Sequence, residues 1–392
     1  MASPPVSPEE ISRKRSAAVA IFGAFIVAGV VTTLLGPILP VLISRWSLSD
    51  ERAGLFFTFQ FGTSMAGVAS VSLLISRWGY KVAFVCGYSA VALGIAGLTS
   101  SSQAACFCAT ALFGYGLGLV LPSSNLWVAE VTRSTRVAAL SVLNLTWGIG
   151  AIACSPLILA AQSAHAISAF LYIVAALALI AALILAVFPL EPDSLANPAA
   201  EEKSAVASGP TAAIALGALF FLYVGVENSV GGWAAALAKR MPATPHNLWA
   251  LAPMFFWGGL MTGRALVPMI SLRKKEKLLV ALGLLLGLAA CVGLLRVRTF
   301  WGAAVSVAIA GVGFAAIYPV LVTWMAKHFG DRARRVGSLM FALAGMGGAV
   351  APWLVGFVST RESSLRAGLL VPVVSCLLML ALLGLIPRRV AD

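Results

Sequence analysis

Apolar runs that are long enough to cross a bilayer follow one another through almost the whole chain. Only 10% of the residues are charged and the mean hydropathy is +0.97, whereas soluble domains carry about 25% charged residues. Each run is close to the roughly 20 residues that a membrane-spanning helix requires. The runs occupy 16–44, 51–76, 80–99, 104–129, 136–161, 165–189, 211–238, 248–270, 277–296, 299–325, 335–358 and 365–387. We therefore predict an all-α membrane protein with twelve transmembrane helices.

The basic residues lie mostly in every second loop. An even number of spans puts both termini on one side, and a cytoplasmic placement assigns 18 Lys and Arg residues to inner segments and 8 to outer loops. This bias predicts a multi-pass protein of the cell inner membrane with both termini cytoplasmic. The formal net charge of +13 is then explained by topology, and we expect no nucleic-acid partner.

A polar segment at residues 190–210 interrupts the series of spans. It is rich in Pro, Ala and Glu, which is typical of a linker, and it is expected in the cytoplasm. It separates two halves, 16–189 and 211–387, and the predicted tails are 1–15 and 388–392. Five residues of the fourth span recur 197 residues later, where Gly114, Gly116, Pro122, Trp127 and Ala129 return as Gly311, Gly313, Pro319, Trp324 and Ala326. The repeat predicts two pseudo-symmetric six-helix bundles.

The loop between the second and third spans carries a family motif. Its sequence, LLISRWGYK from Leu73 to Lys81, resembles the G-x-L-A-D-R-x-G-R-K loop of the major facilitator superfamily. Arg77, Gly79 and Lys81 match that motif, whereas Ser76 stands in place of an aspartate that helps to hold the halves together in the outward-open state. The resemblance implies the major facilitator fold, with substrate bound near the midplane between parallel repeats.

Three further segments resemble the fucose permease-like branch, which includes proton- and sodium-coupled hexose carriers. They are FFLYVGVENSVGGW in the seventh span, the G-x-G-x-G run with Asn125 in the fourth and GVGFAAIYP in the tenth. The resemblance implies a sugar:cation symporter. The fucose permease relies on carboxylates in its first and fourth spans, whereas this chain has none in its first span and only Glu130 at the end of its fourth. A relay of two carboxylates is therefore not expected.

One carboxylate, Glu227, lies in the middle of the seventh span. A charge at the centre of a membrane helix costs roughly 2.5 to 3.5 kcal/mol, and such residues usually serve function. The family fold places the seventh span beside the central cavity, and Tyr223 shares the face of Glu227 one turn earlier. We predict that Glu227 couples transport to a proton or sodium ion, or binds substrate. The alternative is a carboxylate held permanently in a structural hydrogen bond or ion pair, for example with Arg264.

Polar and aromatic side chains at membrane depth complete the predicted substrate site. Amide groups can bind hydroxyls in pairs, and indole rings can stack on sugar faces. The alternative for the amides is hydrogen bonding between helices, and the alternative for the tryptophans is core packing. The predicted substrate-binding residues are Asn125, Tyr223, Glu227, Asn228, Gln60, Asn144, Trp147, Trp257, Tyr318, Trp353 and Arg264.

The predicted function is secondary active transport of a small polar solute, with a sugar as the first choice, by proton-coupled symport through Glu227. Proton-coupled efflux of drugs or metabolites and facilitated sugar uniport stay open as alternatives. The chain has no nucleotide-binding loop, no nucleophile elbow and no metal-ligand spacing. We therefore expect no enzyme activity, no cofactor and no metal, and a monomer in the lipid bilayer.

Overall fold

The computed structural model describes residues 8–132, 135–188, 190, 210–242, 244, 247–267, 276–329 and 333–386. The first half forms helices α1 (Pro8–Thr33), α2 (Leu35–Trp46), α3 (Asp50–Gly97), α4 (Gln103–Val131), α5 (Arg136–Ser163) and α6 (Ile167–Val187). The second half forms α7 (Pro210–Lys239), a 3-10 helix (Leu248–Leu251), α8 (Ala252–Leu266), α9 (Glu276–Arg296), α10 (Phe300–Phe314), α11 (Ile317–Phe329), α12 (Ala333–Arg361), α13 (Leu365–Gly368) and α14 (Leu370–Leu383).

These helices account for the twelve predicted spans. Among the described residues, ten helical segments are long and apolar enough to cross a membrane. One of them is α3, whose 48 residues cover the second and third spans. The eighth span is α8, which is shorter at 15 residues. The first, tenth and twelfth spans are each built from two consecutive helices. The prediction of an all-α protein with twelve membrane helices is confirmed.

Prolines explain two of the helix breaks. A proline has no backbone N–H, so it cannot donate to the carbonyl four residues earlier. Pro37 lies three residues after the break at Leu34, and Pro319 lies just after the break between α10 and α11. The repeat partner of Pro319 is Pro122, which lies within the continuous helix α4. The two halves therefore differ in backbone at equivalent positions.

The motif loop between the second and third spans is a single sharp bend. Helical geometry continues on both sides of it, but Gly79 adopts φ 77° and ψ 174°. This backbone conformation is open to glycine and costly for other residues. The glycine of the family motif therefore has a backbone role in this chain.

Glycines allow equivalent helices to approach closely in both halves. A Cβ on Gly116 of α4 would lie 2.5 Å from the Gly87 carbonyl oxygen of α3. A Cβ on its repeat partner Gly313 of α10 would lie 2.7 Å from the Gly283 carbonyl oxygen of α9. Small residues permit such backbone contact between membrane helices. The predicted repeat is thus visible in packing as well as in sequence.

The outer surface of the helices is apolar. On α6, for example, Leu183 is 60% exposed and Val187 is 81% exposed. Such side chains are stable against lipid tails and unfavourable against water. This surface is consistent with a protein that lies in a lipid bilayer.

The described chain divides into two compact units. The first contains the described residues within Met1–Thr32, Thr63–Ala151 and Ala166–Asn197, and the second contains those within Thr33–Gly62, Ile152–His165 and Pro198–Asp392. The second unit therefore combines the second half with α2, the first turns of α3 and the last turns of α5. Of the predicted tails, residues 1–7 and 388–392 lie outside the described residues, and so does the linker apart from positions 190 and 210. The predicted domain bounds stay predictions.

Candidate functional site

The predicted carboxylate and the predicted arginine meet inside the second unit. Glu227 lies in the middle of α7, and Arg264 lies near the end of α8. The Arg264 Nη2 atom is 3.9 Å from the Glu227 Oε1 atom. This distance permits an ion pair but is too long for a hydrogen bond. The Glu227 side chain is 12% exposed and that of Arg264 is 27% exposed, so the pair retains some access.

Two tyrosines adjoin this pair. The Tyr223 hydroxyl donates a hydrogen bond to the Phe314 carbonyl oxygen at 3.2 Å. Its ring centroid is 5.8 Å from that of Tyr318, with the planes tilted by 34°. Glu227 and Arg264 both act electrostatically on the two tyrosines. We call these four residues, Tyr223, Glu227, Arg264 and Tyr318, the Glu227 cluster.

The break between α10 and α11 shapes the cluster. Phe314 is the last residue of α10, and the chain resumes helical geometry at Ile317. Because the helix is interrupted after Phe314, the Phe314 carbonyl can accept the Tyr223 hydroxyl. The break thus joins α7 to the tenth span through a side chain, at the level of the Glu227 cluster.

Four more predicted residues of the second unit lie outside the cluster. Asn228 donates from Nδ2 to the Val224 carbonyl oxygen at 2.9 Å, so its amide bonds within its own helix. Trp257 is buried and packs edge-on against a neighbouring aromatic ring at 5.1 Å. Trp353 is half-buried, with the ring of Phe357 at 5.5 Å. Gln60 of α3 is buried at 2% exposure.

The remaining three predicted residues belong to the first unit and form no single group. Asn125 donates from Nδ2 to the Leu121 carbonyl oxygen at 2.8 Å, within α4. Asn144 is exposed on α5 and bonds its own helix in the same way. The Trp147 indole donates to the Thr32 hydroxyl at 3.4 Å. Both amides thus make local hydrogen bonds rather than bonds between helices.

Sequence reasoning missed a second charged group, near the end of the molecule that the sequence places outside the cell. We call this the predicted outer end, and it comprises residues 47–49, 297–299 and 362–364 and the chain after Lys239. Asp50, which begins α3, is 9% exposed. Arg240 donates to both of its carboxylate oxygens, from Nη1 at 2.7 Å and from Nη2, and the Ser359 hydroxyl donates to it as well.

We call these three residues the Asp50 cluster. Its members are 190 and 309 residues apart in the chain, so no local pattern pairs them. Asp50 follows Ser49 at the start of a span, where an acid is expected as an ordinary helix-start residue. Only the nearly complete burial of its carboxylate marks it as different, and burial is not readable from one sequence.

A cavity of about 630 Å³ adjoins the Asp50 cluster in the second unit. Three arginines line it, namely Arg240, Arg298 and Arg366, together with Thr299 and Ser364. Arg366 donates to the Val297 carbonyl oxygen at 2.8 Å. In the part of the chain that the structure describes, no carboxylate pairs with Arg298 or Arg366. The lining is therefore positively charged.

The Glu227 cluster can exchange a proton and can hold a polar ligand. It combines a carboxylate, which can carry a proton, with a guanidinium group and two phenol rings, which can bind polar groups. Within the described ranges, no group of three or more His, Cys, Asp or Glu side chains could hold a metal ion.

Comparison with known proteins places the chain in one family. The sequence model of the Major Facilitator Superfamily matches residues 21–352, and no curated protein sequence matches the chain. A mutant of the nucleoside transporter NupG has a TM-score of 0.77 at 14% identity, over 96% of this chain and 100% of that chain. A bacterial homologue of the human lysosomal transporter Spinster, inward-facing and unoccupied, gives 0.76 at 15%, over 99% and 98%. The transporter FucP in the outward conformation gives 0.60 at 16%, over 94% and 98%.

Proposed function

Since the chain belongs to the Major Facilitator Superfamily, whose model spans most of its length, we propose that it is a secondary active transporter of a small polar solute. The two halves would expose the site to each side of the membrane in turn. The predicted superfamily assignment and the predicted fold are confirmed. We also propose the class of the solute and the coupling ion.

The Glu227 cluster carries the proposal of proton coupling. Glu227 is a membrane-embedded carboxylate whose nearest cation, Arg264, lies 3.9 Å away without a hydrogen bond. A tight permanent ion pair would show bidentate contacts at about 2.7 to 2.9 Å. The looser pair observed supports a carboxylate that takes up and releases a proton in each cycle. Glu227 would do so alone, because α1 has carboxylates only in its first turn, α2 has none and α4 has only Glu130, near its end.

A sugar is the proposed solute class. Tyr318 and the nearby Asn228, both half-buried, supply an aromatic face and an amide group of the kinds that polyhydroxylated rings bind. The resemblance of the seventh, fourth and tenth spans to the fucose permease-like branch favours the same class. A nucleoside, the solute in the name of NupG, also contains a sugar ring.

The proposed location is the cell inner membrane, with both termini in the cytoplasm. The distribution of basic residues supports this orientation, since 18 of them fall in the predicted inner segments and 8 in the predicted outer loops. The predicted outer end would then face the solute outside the cell.

Replacing the carboxylate by its neutral isostere tests the coupling. We expect Glu227→Gln to abolish uphill accumulation of solute in proteoliposomes with an imposed pH gradient. Solute exchange between the two sides at equal pH should continue, because exchange needs no net proton movement. A thermal-shift screen of hexoses first identifies the sugar that stabilises the purified protein. Accumulation and exchange are then both measured with that sugar in radiolabelled form.

Glu362→Gln provides the matched control, because Glu362 is exposed in the loop after α12. This variant should accumulate solute like the unmodified protein. If Glu227→Gln retains both accumulation and its pH dependence, proton coupling through Glu227 is wrong. If accumulation and exchange are lost together, Glu227 is required for solute binding itself. Exchange without accumulation in the unmodified protein would support the uniport alternative.

A further inference from the structure

We infer that the transported solute carries a carboxylate, which Arg264 binds while a proton occupies Glu227. This inference rests on the proposed function and narrows its solute class from polyhydroxylated compounds in general to acidic ones such as sugar acids. Its basis is the charge balance of the Glu227 cluster, together with the unused donor of Arg264.

The Glu227 cluster contains one carboxylate, that of Glu227, and one permanent cation, Arg264. Of the described elements packed against α7, only α8 and α11 bring a charged or titratable side chain to Glu227, and these are Arg264 and Tyr318. Tyr223 on α7 itself is the third such neighbour. With Glu227 ionised and no solute bound, the opposite charges of the pair compensate each other.

Protonation of Glu227 upsets this balance. A neutral solute would leave the Arg264 cation without a counter-charge at membrane depth, which is unfavourable for any ionised side chain. A solute carboxylate supplies the missing negative charge. The empty cluster and the loaded cluster are then both neutral, so neither form carries an uncompensated charge through the membrane during the transport cycle.

Arg264 has the geometry to accept such a ligand. Its Nε atom is buried and has no hydrogen-bond partner among the described residues, and its Nη2 atom stays 3.9 Å from Glu227. A guanidinium group offers five donors in a fixed plane and binds carboxylates through two parallel hydrogen bonds. About a quarter of the side chain, 27%, is exposed, so a ligand can reach part of Arg264, and a side-chain rotation would bring the buried Nε into contact with it.

The predicted outer end, like Arg264, favours negatively charged solutes. Arg240, Arg298 and Arg366 line the cavity of about 630 Å³ there. Within the described part of the chain, only the first of them pairs with a carboxylate, that of Asp50. Arginines around a concave surface raise the local concentration of anions and speed their association. An acidic solute approaching from this side would be attracted, whereas a neutral sugar would not.

Matched pairs of solutes test the inference by binding. D-Glucose and D-glucuronate, D-galactose and D-galacturonate, and D-lactamide and D-lactate each differ by a carboxylate. We expect an acid of this panel to raise the melting temperature of the purified protein at pH 5.5, and its neutral partner to have no effect. The inference is overturned if no acid stabilises the protein, or if a neutral partner stabilises it equally well.

Substitution of Arg264 tests whether this residue binds the carboxylate of the solute. Arg264→Lys keeps the charge but not the paired hydrogen bonds, and it should weaken binding of the stabilising acid about 10- to 100-fold. Arg361→Gln is the matched control, because Arg361 is exposed and stacks on Phe357 in its own helix. Unchanged affinity for the acid in Arg264→Lys and Arg264→Gln would also overturn the inference.

Membrane potential separates this inference from the proposed function. One proton moving with one monoanion carries no net charge, so uptake into proteoliposomes should not respond to a potassium diffusion potential. A proton moving with a neutral solute carries positive charge, and a negative interior would accelerate uptake. Potential-driven uptake that Glu227→Gln abolishes would refute the acidic solute while leaving proton coupling intact.

Discussion

Two tryptophans at equivalent repeat positions hold the ends of neighbouring elements in place. The Trp127 indole donates to the Leu190 carbonyl oxygen at 3.0 Å, and the Trp324 indole donates to the Glu276 carboxylate at 2.8 Å. Both rings are almost completely buried, at 1% and 0% exposure. The repeat therefore keeps the donor but changes the acceptor from a neutral carbonyl to a charged carboxylate, which Lys327 also contacts.

This difference predicts unequal costs for the same substitution. Trp324→Phe removes a hydrogen bond to a charged group and should lower the free energy of unfolding by about 1.5 to 3 kcal/mol from that bond. Trp127→Phe removes a bond to a neutral carbonyl, worth about 0.5 to 1.5 kcal/mol. The volume lost is the same in both, so thermal unfolding in detergent should rank Trp324→Phe as less stable. Equal losses would contradict the assigned acceptors.

The Glu227 cluster shows what one sequence reveals about a site. Glu227 is visible because a lone carboxylate in an apolar run is costly, and Tyr223 follows from helical periodicity. Arg264 is predicted both as a ligand and as an ion-pair partner, although hydropathy places it nearer the end of its span. Its long side chain reaches Glu227, and this reach depends on how α7 and α8 pack, which a single sequence does not specify.

At the scale of elements, the two copies of the repeat differ in what the shared proline does to the helix. Pro122 leaves α4 continuous, whereas Pro319 follows the break between α10 and α11. The number and order of the spans are predictable, because hydropathy reports them directly. The breaks are not, since an internal proline is compatible with either a bent or a broken helix. The break matters for the site because it frees the carbonyl that Tyr223 contacts.

The Asp50 cluster joins elements from both halves of the sequence within the second unit. Asp50 begins α3, Arg240 follows α7 and Ser359 lies in α12. Nearby, the Lys239 ammonium donates to the Pro40 carbonyl oxygen at 3.2 Å and to the Ser44 hydroxyl at 2.7 Å. If opening at this end separates the two halves of the sequence, it breaks these contacts, and their strength then sets part of the conformational equilibrium.

Loss of the Asp50 charge should therefore favour opening at the predicted outer end. Asp50→Asn removes a charge-assisted bidentate contact worth about 1 to 3 kcal/mol, with allowance for the exposure of Arg240. The reporter is a cysteine introduced by Phe57→Cys, because Phe57 is buried against Gly232. We expect a membrane-impermeant maleimide to modify this cysteine about tenfold faster when Asp50→Asn is also present.

Glu51→Gln is the control for this experiment. Glu51 is the next acid along α3. Its backbone N–H donates to the Thr360 hydroxyl at 2.9 Å, and this bond does not involve its carboxylate. The modification rate should stay unchanged in this variant. An equal increase in both variants would show that general destabilisation, rather than loss of the Asp50 cluster, exposes the cysteine.

At the scale of the whole molecule, twelve spans, an internal repeat and an apolar exterior agree with one another. Each follows from the same requirement, because a chain in lipid must satisfy its backbone hydrogen bonds within helices and present apolar side chains outward. This requirement makes the fold predictable from composition and periodicity. It does not determine the solute, which depends on a few polar side chains whose positions come from packing.

The orientation of the molecule depends on loop charge and can be measured directly. The excess of basic residues in the predicted inner segments, 18 against 8, should retain those loops in the cytoplasm. After replacement of the six native cysteines, Glu362→Cys should react with an impermeant maleimide in intact cells, since Glu362 is exposed beyond α12. Ser76→Cys, exposed in the motif loop, should react only after the membrane is permeabilised. The reverse labelling pattern would place the three arginines of the outer cavity in the cytoplasm, and the proposed attraction of acidic solutes from outside would then be wrong.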